Sequence, residues 1–73
     1  MQGRLKVVTL TGGLVVTMPG TQFLIAYRKL TLPPWLSAIE FVDDIDGPLP
    51  FWEFAREAWT AGIQQARELG WME

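Results

Sequence analysis

Residues 50–71, PFWEFAREAWTAGIQQARELGW, decide the fold. At about 100° per residue, Phe51, Trp52, Ala55, Ala58, Trp59, Gly62, Ala66 and Leu69 fall on one side, with Glu53, Arg56, Thr60, Gln64 and Arg67 opposite. That division predicts one amphipathic helix over residues 50–69. About 20 helical residues run roughly 30 Å, the width of a small domain, so the helix spans whatever it packs on. Gly70 supplies the left-handed residue that ends it, and Trp71 is then placed to touch Ala66. Pro50 suits the first helical position, and Glu53 and Glu57 lie towards the positive end of the helix dipole. The middle of the apolar stripe is small (Ala55, Ala58, Gly62, Ala66), so it calls for a partner surface of large side chains. A membrane-surface role does not suit this helix, whose polar face is poor in Lys and Arg.

That surface must come from the first 49 residues, and the stretches 5–10, 14–18, 22–30 and 35–42 read as strands. Residues 5–10 (LKVVTL) are rich in β-branched side chains and lead into Thr11-Gly12-Gly13, a hairpin turn before 14–18 (LVVTM). Pro19-Gly20 is a turn pair, with proline at the first central position and glycine at the second. In 22–30, Phe23, Ile25 and Tyr27 alternate against Gln22, Leu24, Ala26 and Arg28. The run ends at Pro33-Pro34, which cannot donate to a ladder. Residues 35–42 (WLSAIEFV) fit either a strand or a short helix, and their Trp, Ile, Phe and Val favour the strand. The expected fold is α+β: a three- to four-stranded antiparallel meander followed by one long C-terminal helix packed across one sheet face.

With strict alternation, the covered face holds Phe23, Ile25, Tyr27, Trp35, Ile39 and Phe41. The opposite face then shows Leu24, Ala26, Leu36, Ala38 and Val42 among Arg28 and Glu40, more apolar than a solvated sheet usually is. This predicts a homodimer formed through Leu24, Ala26, Arg28, Leu36, Ala38 and Glu40, with Arg28 and Glu40 available as a cross-subunit or cross-strand pair. Self-association also suits a chain of 73 residues, whose single core is small.

Composition narrows the function classes. The chain has no Cys and no His, so disulfides, thiolate or imidazole metal ligands and a His general base are excluded. No apolar run approaches the roughly 18 residues of a membrane span, and no signal-peptide pattern opens the chain, which leads us to expect a soluble, cytoplasmic protein without membrane contact. Net charge is −2, unevenly distributed: residues 1–32 hold Arg4, Lys6, Arg28 and Lys29 and no acid, whereas all eight acids follow.

Three chemical patterns bear on function. Asp44-Ile45-Asp46-Gly47 with Glu53 matches the later part of a calcium loop, but Val42 stands at the first ligand position and Pro48 and Pro50 stiffen the segment. Arg4, Lys6, Arg28 and Lys29, with Phe23 and Tyr27, offer a small basic and aromatic platform for single-stranded nucleic acid or another anion, set against an acidic whole. The carboxylates Glu40, Asp43, Asp44 and Asp46 lie on an exposed loop without a pocket to separate their pKa values, and Ser37 has no base. The leading expectation is therefore a small non-enzymatic interaction domain that needs no cofactor, with nucleic-acid or anion binding second and a degenerate calcium loop third.

Overall fold

The computed structural model describes residues 4–72. Four strands, β1 (Lys6–Leu10), β2 (Gly13–Thr17), β3 (Leu24–Lys29) and β4 (Leu36–Val42), are followed by one helix, α1 (Phe51–Glu68). The sheet order is β1-β2-β3-β4 and every neighbouring pair is antiparallel, a simple meander with the helix laid over one face. The chain is thus α+β, and residues 36–42 are strand.

Each connection has a local cause. Leu10 pairs with Gly13, so the first hairpin closes over two residues, Thr11 and Gly12, with Gly12 at φ 82°. Gly13 itself belongs to β2, where a β-carbon would lie 2.1 Å from the Tyr27 carbonyl oxygen; only glycine lets β3 come this near. Pro19-Gly20 forms the expected turn, with the Thr21 N–H donating to the Met18 carbonyl at 3.1 Å. In the third connection the Trp35 N–H donates to the Leu32 carbonyl across a cis Pro33-Pro34 peptide bond. Trp35, expected in the strand, instead sits half-buried in this turn at φ 77°.

The helix starts one residue later than expected, with Pro50 as its cap residue in extended conformation and no side-chain cap bond. Its end has the anticipated geometry. Gly70 adopts φ 78°, its N–H donates to Arg67 O at 3.1 Å, and the Trp71 N–H donates to Ala66 O at 2.9 Å, the paired bonds of a Schellman motif. Lys29 then lies over the Trp71 ring, 5.0 Å from its centroid, tying the end of α1 to β3.

The buried row of α1 is Phe54, Ala58, Gly62 and Ala66, one residue in every four. Four residues overshoot a turn of 3.6, so this ridge runs obliquely along the helix. Phe54 stacks on Phe23 at 4.7 Å between centroids, and Gly62 sits over Leu14, Leu36 and Tyr27. Small helix residues on bulky sheet residues is the arrangement the sequence predicts. The margins differ: Trp52, Trp59 and Leu69 are exposed, and Phe54, absent from the expected stripe, is fully buried.

Strand β4 corrects the expected faces. Ala26 pairs with Glu40 but Tyr27 pairs with Ala38, so Ile39 is an extra residue with no counterpart on β3, a β-bulge. The bulge reverses the alternation below it. Leu36 and Ala38 share the helix-side face with Lys29 and Tyr27, and Leu36 is 1% exposed within the core. Phe41, opposite Ile25, also faces the helix side and contacts Phe51 at 5.7 Å, yet remains 64% exposed because α1 does not cover this end of the edge strand.

Candidate functional site

The sheet face turned away from α1 is the surface with most capacity to bind. Pairing places its residues in three rows across the strands. One row is Lys6, Thr17, Leu24, Val42; the middle row is Val8, Val15, Ala26, Glu40; the last is Leu10, Gly13, Arg28, Ser37. Their row-mates' neighbours Val16, Ile25 and Tyr27 point the other way and are buried under the helix. Six of the twelve positions are aliphatic: Val8, Leu10, Val15, Leu24, Ala26 and Val42. Val8 is 40% exposed, Leu10 50% and Val42 38%, while Val15, Leu24 and Ala26 at the centre are half-covered by their neighbours. No element among the described residues lies over this face.

Of the six residues expected there, Leu24, Ala26, Arg28 and Glu40 lie on this face. Leu36 and Ala38 do not, because the bulge at Ile39 turns them to the helix side. Val8, Leu10 and Val15 take their place, residues that strand alternation alone left unassigned. Arg28 and Glu40 occupy adjacent strands in neighbouring rows and make no ion pair with each other; the ion pair among the described residues is Arg4 with Glu57. That pair is two-pronged, with Arg4 Nε donating to Glu57 Oε1 at 3.1 Å and Nη2 to Oε2, and it raises the already high pKa of Arg4, first through the hydrogen bond and then through the charge of Glu57.

The four expected cations therefore do not converge. Arg4 is bonded to the helix, Lys29 lies over Trp71 on the helix side, and Lys6 and Arg28 sit in opposite end rows of the free face. Phe23 and Tyr27, the aromatic residues of the proposed base-stacking platform, are buried beneath α1 at 1% and 4% exposure. Burial of the Tyr27 ring pushes its phenol from 10.0 up to about 12.

The acidic loop is likewise committed to structure. Asp44 Oδ2 accepts the Gln22 N–H at 2.9 Å and Oδ1 accepts the Asp46 N–H at 3.2 Å, while the Gly47 N–H donates to the Asp44 carbonyl. Asp44 thus closes its own turn and pins the loop to the start of β3. Gly47 packs against the Phe23 ring, where a β-carbon would come within 2.8 Å of Cε2. Among the described residues no group of three acidic side chains converges in a way that would hold a metal ion.

A shallow groove also runs between β1 and α1, with Arg4, Leu5, Val7, Glu57, Ala61 and Gln65 among its lining residues. Three of its polar side chains are already engaged: Arg4 holds Glu57, and Gln65 Nε2 donates to Thr9 Oγ1 at 3.2 Å. No helix among the described residues is long and apolar enough to cross a membrane. No protein family, curated protein or solved structure was found that matches the chain.

Proposed function

We propose that this protein is a small non-enzymatic interaction domain that pairs with a second copy of itself through the uncovered sheet face. One observation carries the reading: aliphatic side chains from all four strands form a continuous surface, and α1 lies wholly on the other side. Antiparallel sheets tolerate water on one face when that face alternates to polar residues. Here the middle row is Val8, Val15 and Ala26 with a single charge, Glu40, at its end.

The occupant follows from size and charge. Four strands about 4.8 Å apart and five residues long give a patch of roughly 19 by 17 Å, matching another patch of the same dimensions. A footprint of roughly 320 Å² lies below the roughly 800 Å² per partner of a standard-size interface. The expected dimer is accordingly of micromolar affinity rather than permanent. The face also carries both signs, Lys6 and Arg28 against Glu40, as a self-complementary surface requires.

Sedimentation velocity across 5 to 500 µM, taken as an order-of-magnitude range about the expected affinity, tests the reading. The parent chain should shift from monomer to dimer, and Leu24→Lys should remain monomeric while keeping its helical circular-dichroism signal. A parent that stays monomeric throughout refutes it. Leu36→Lys is not a valid probe, since Leu36 lies in the core and its replacement unfolds the chain.

A further inference from the structure

We infer that the two copies meet about a two-fold axis running parallel to the strands, which sets Glu40 of one copy beside Lys6 of the other. This rests on the self-association proposed above and specifies its geometry. Two sheets packed face to face lie about 10 Å apart with strands nearly aligned. A two-fold axis along the strands, passing between β2 and β3, lays β1 over the second copy's β4 and β2 over its β3.

The rows then superpose on themselves. Glu40 in the middle row comes over Val8 of the second copy, and Lys6 of that copy lies about 7 Å along the same strand from Val8, so the two long side chains, both reaching into the gap of about 10 Å between the sheets, can meet. Arg28 in its row comes over Gly13, which has no side chain and leaves room for the guanidinium stem. Val15 comes over Ala26, large on small at the centre. The alternative in-plane axis, perpendicular to the strands, stacks Glu40 on Glu40 and sets Lys6 over Leu10 and Arg28 over Leu24. It places like charges together at the end of the middle row.

The pairing has a property that makes it decidable. Within one chain β1 and β4 are the outermost strands, three spacings or about 14 Å apart, and Lys6 and Glu40 are also one row out of line. Their side chains do not meet in the monomer. Any energetic coupling between Lys6 and Glu40 in self-association is therefore coupling between copies.

The experiment is a charge-reversal cycle read by sedimentation and by dilution calorimetry. Lys6→Glu and Glu40→Lys are each expected to weaken dimerisation about five- to tenfold, and the chain carrying both reversals is expected to return to within about threefold of the parent. Both residues are exposed, so the thermal midpoint at low concentration, where the chain is monomeric, should hardly move. Recovery in the double variant supports the axis. A dimeric parent whose double variant is no tighter than the weaker single variant overturns it, while leaving self-association standing. Recovery by Arg28→Glu in the Glu40→Lys background, without recovery by Lys6→Glu, also overturns it in favour of a crossing that pairs Arg28 with Glu40. A parent that never dimerises overturns both the inference and the reading beneath it.

Discussion

Gly62 occupies the centre of the buried row of α1, and replacing it with alanine should stabilise the protein. In an α-helix, glycine is about 1 kcal/mol less favourable than alanine. A helix glycine pressed on a sheet is commonly taken to be there because no methyl fits. Here the added β-carbon would meet Leu14 Cδ1 at 3.4 Å, Leu36 Cδ1 at 3.4 Å and Tyr27 Cε2 at 3.6 Å. These are ordinary van der Waals separations, and two of the three neighbours are ends of leucine side chains that can shift slightly. The propensity gain is then retained almost whole, about 0.5–1 kcal/mol. With 73 residues and roughly 2.1 cal/mol/K of unfolding entropy per residue, this raises the thermal midpoint by about 3–7 °C. Gly62→Leu should act in the opposite direction by about 1–3 kcal/mol, because its further carbons enter space already held by Leu14, Leu36 and Tyr27. Differential scanning calorimetry at one fixed protein concentration separates the two, the concentration being held because association also shifts the midpoint. A Gly62→Ala midpoint several degrees below the parent would refute the reasoning, since it would mean that helix and sheet approach more closely than these distances.

Three further outcomes follow from the packing. Gly13→Ala drives a β-carbon into the Tyr27 carbonyl, where the neighbour is backbone and cannot swing away, so urea denaturation should show a loss of about 3 kcal/mol or more, or no folded protein. Phe54→Ala removes a fully buried ring stacked on Phe23 and should cost about 3–5 kcal/mol by the same measurement, whereas Trp52→Ala, at an exposed position, should cost far less. Tyr27 is the chain's one tyrosine, so absorbance at about 295 nm reports its ionisation directly, with a folded midpoint near 12 against 10.0 for an unperturbed phenol. The unfolded chain gives up this proton first, so folding stability should be flat with respect to this group below pH 10 and fall as pH rises towards 12.

What was legible in the sequence was local. The extent of α1, its ending at Gly70 and the Pro19-Gly20 turn each depend on a few adjacent residues with distinct backbone preferences, and all stand where those preferences put them. Alternation along one regular strand puts Phe23, Ile25 and Tyr27 in the core, and they are buried. The candidate face was read less completely. In β1 and β2 the pairs Val7-Val8 and Val15-Val16 put valine on both sides; the two-residue turn at Thr11-Gly12 sets Val8 opposite Val15, and it is the alternation of Leu14, Val16 and Met18 that marks the buried face. In β4 the bulge carries no glycine or proline to mark it, and alternation counted through Ile39 put Leu36 and Ala38 on the wrong side. Phe54 lies in line with Ala58, Gly62 and Ala66 at four-residue spacing, but a stripe centred on the small residues at 100° per residue does not include it.

Ile39 has a particular standing among the exposed residues of the sheet. Its side chain is 57% open to solvent, and a polar replacement should leave the fold intact. As a link in the backbone it is surplus, because Leu36, Ala38 and Phe41 share one side of the sheet by plain alternation once it is left out of the count. A chain shortened by that one residue would set Ala38 and Glu40 side by side opposite Tyr27 and Ala26, keeping the leucine sealed beneath α1 and Glu40 on the free face. Tolerance of exchange and tolerance of loss at this point are two readings of the same geometry, and a single-codon deletion that left the chain unfolded would contradict it.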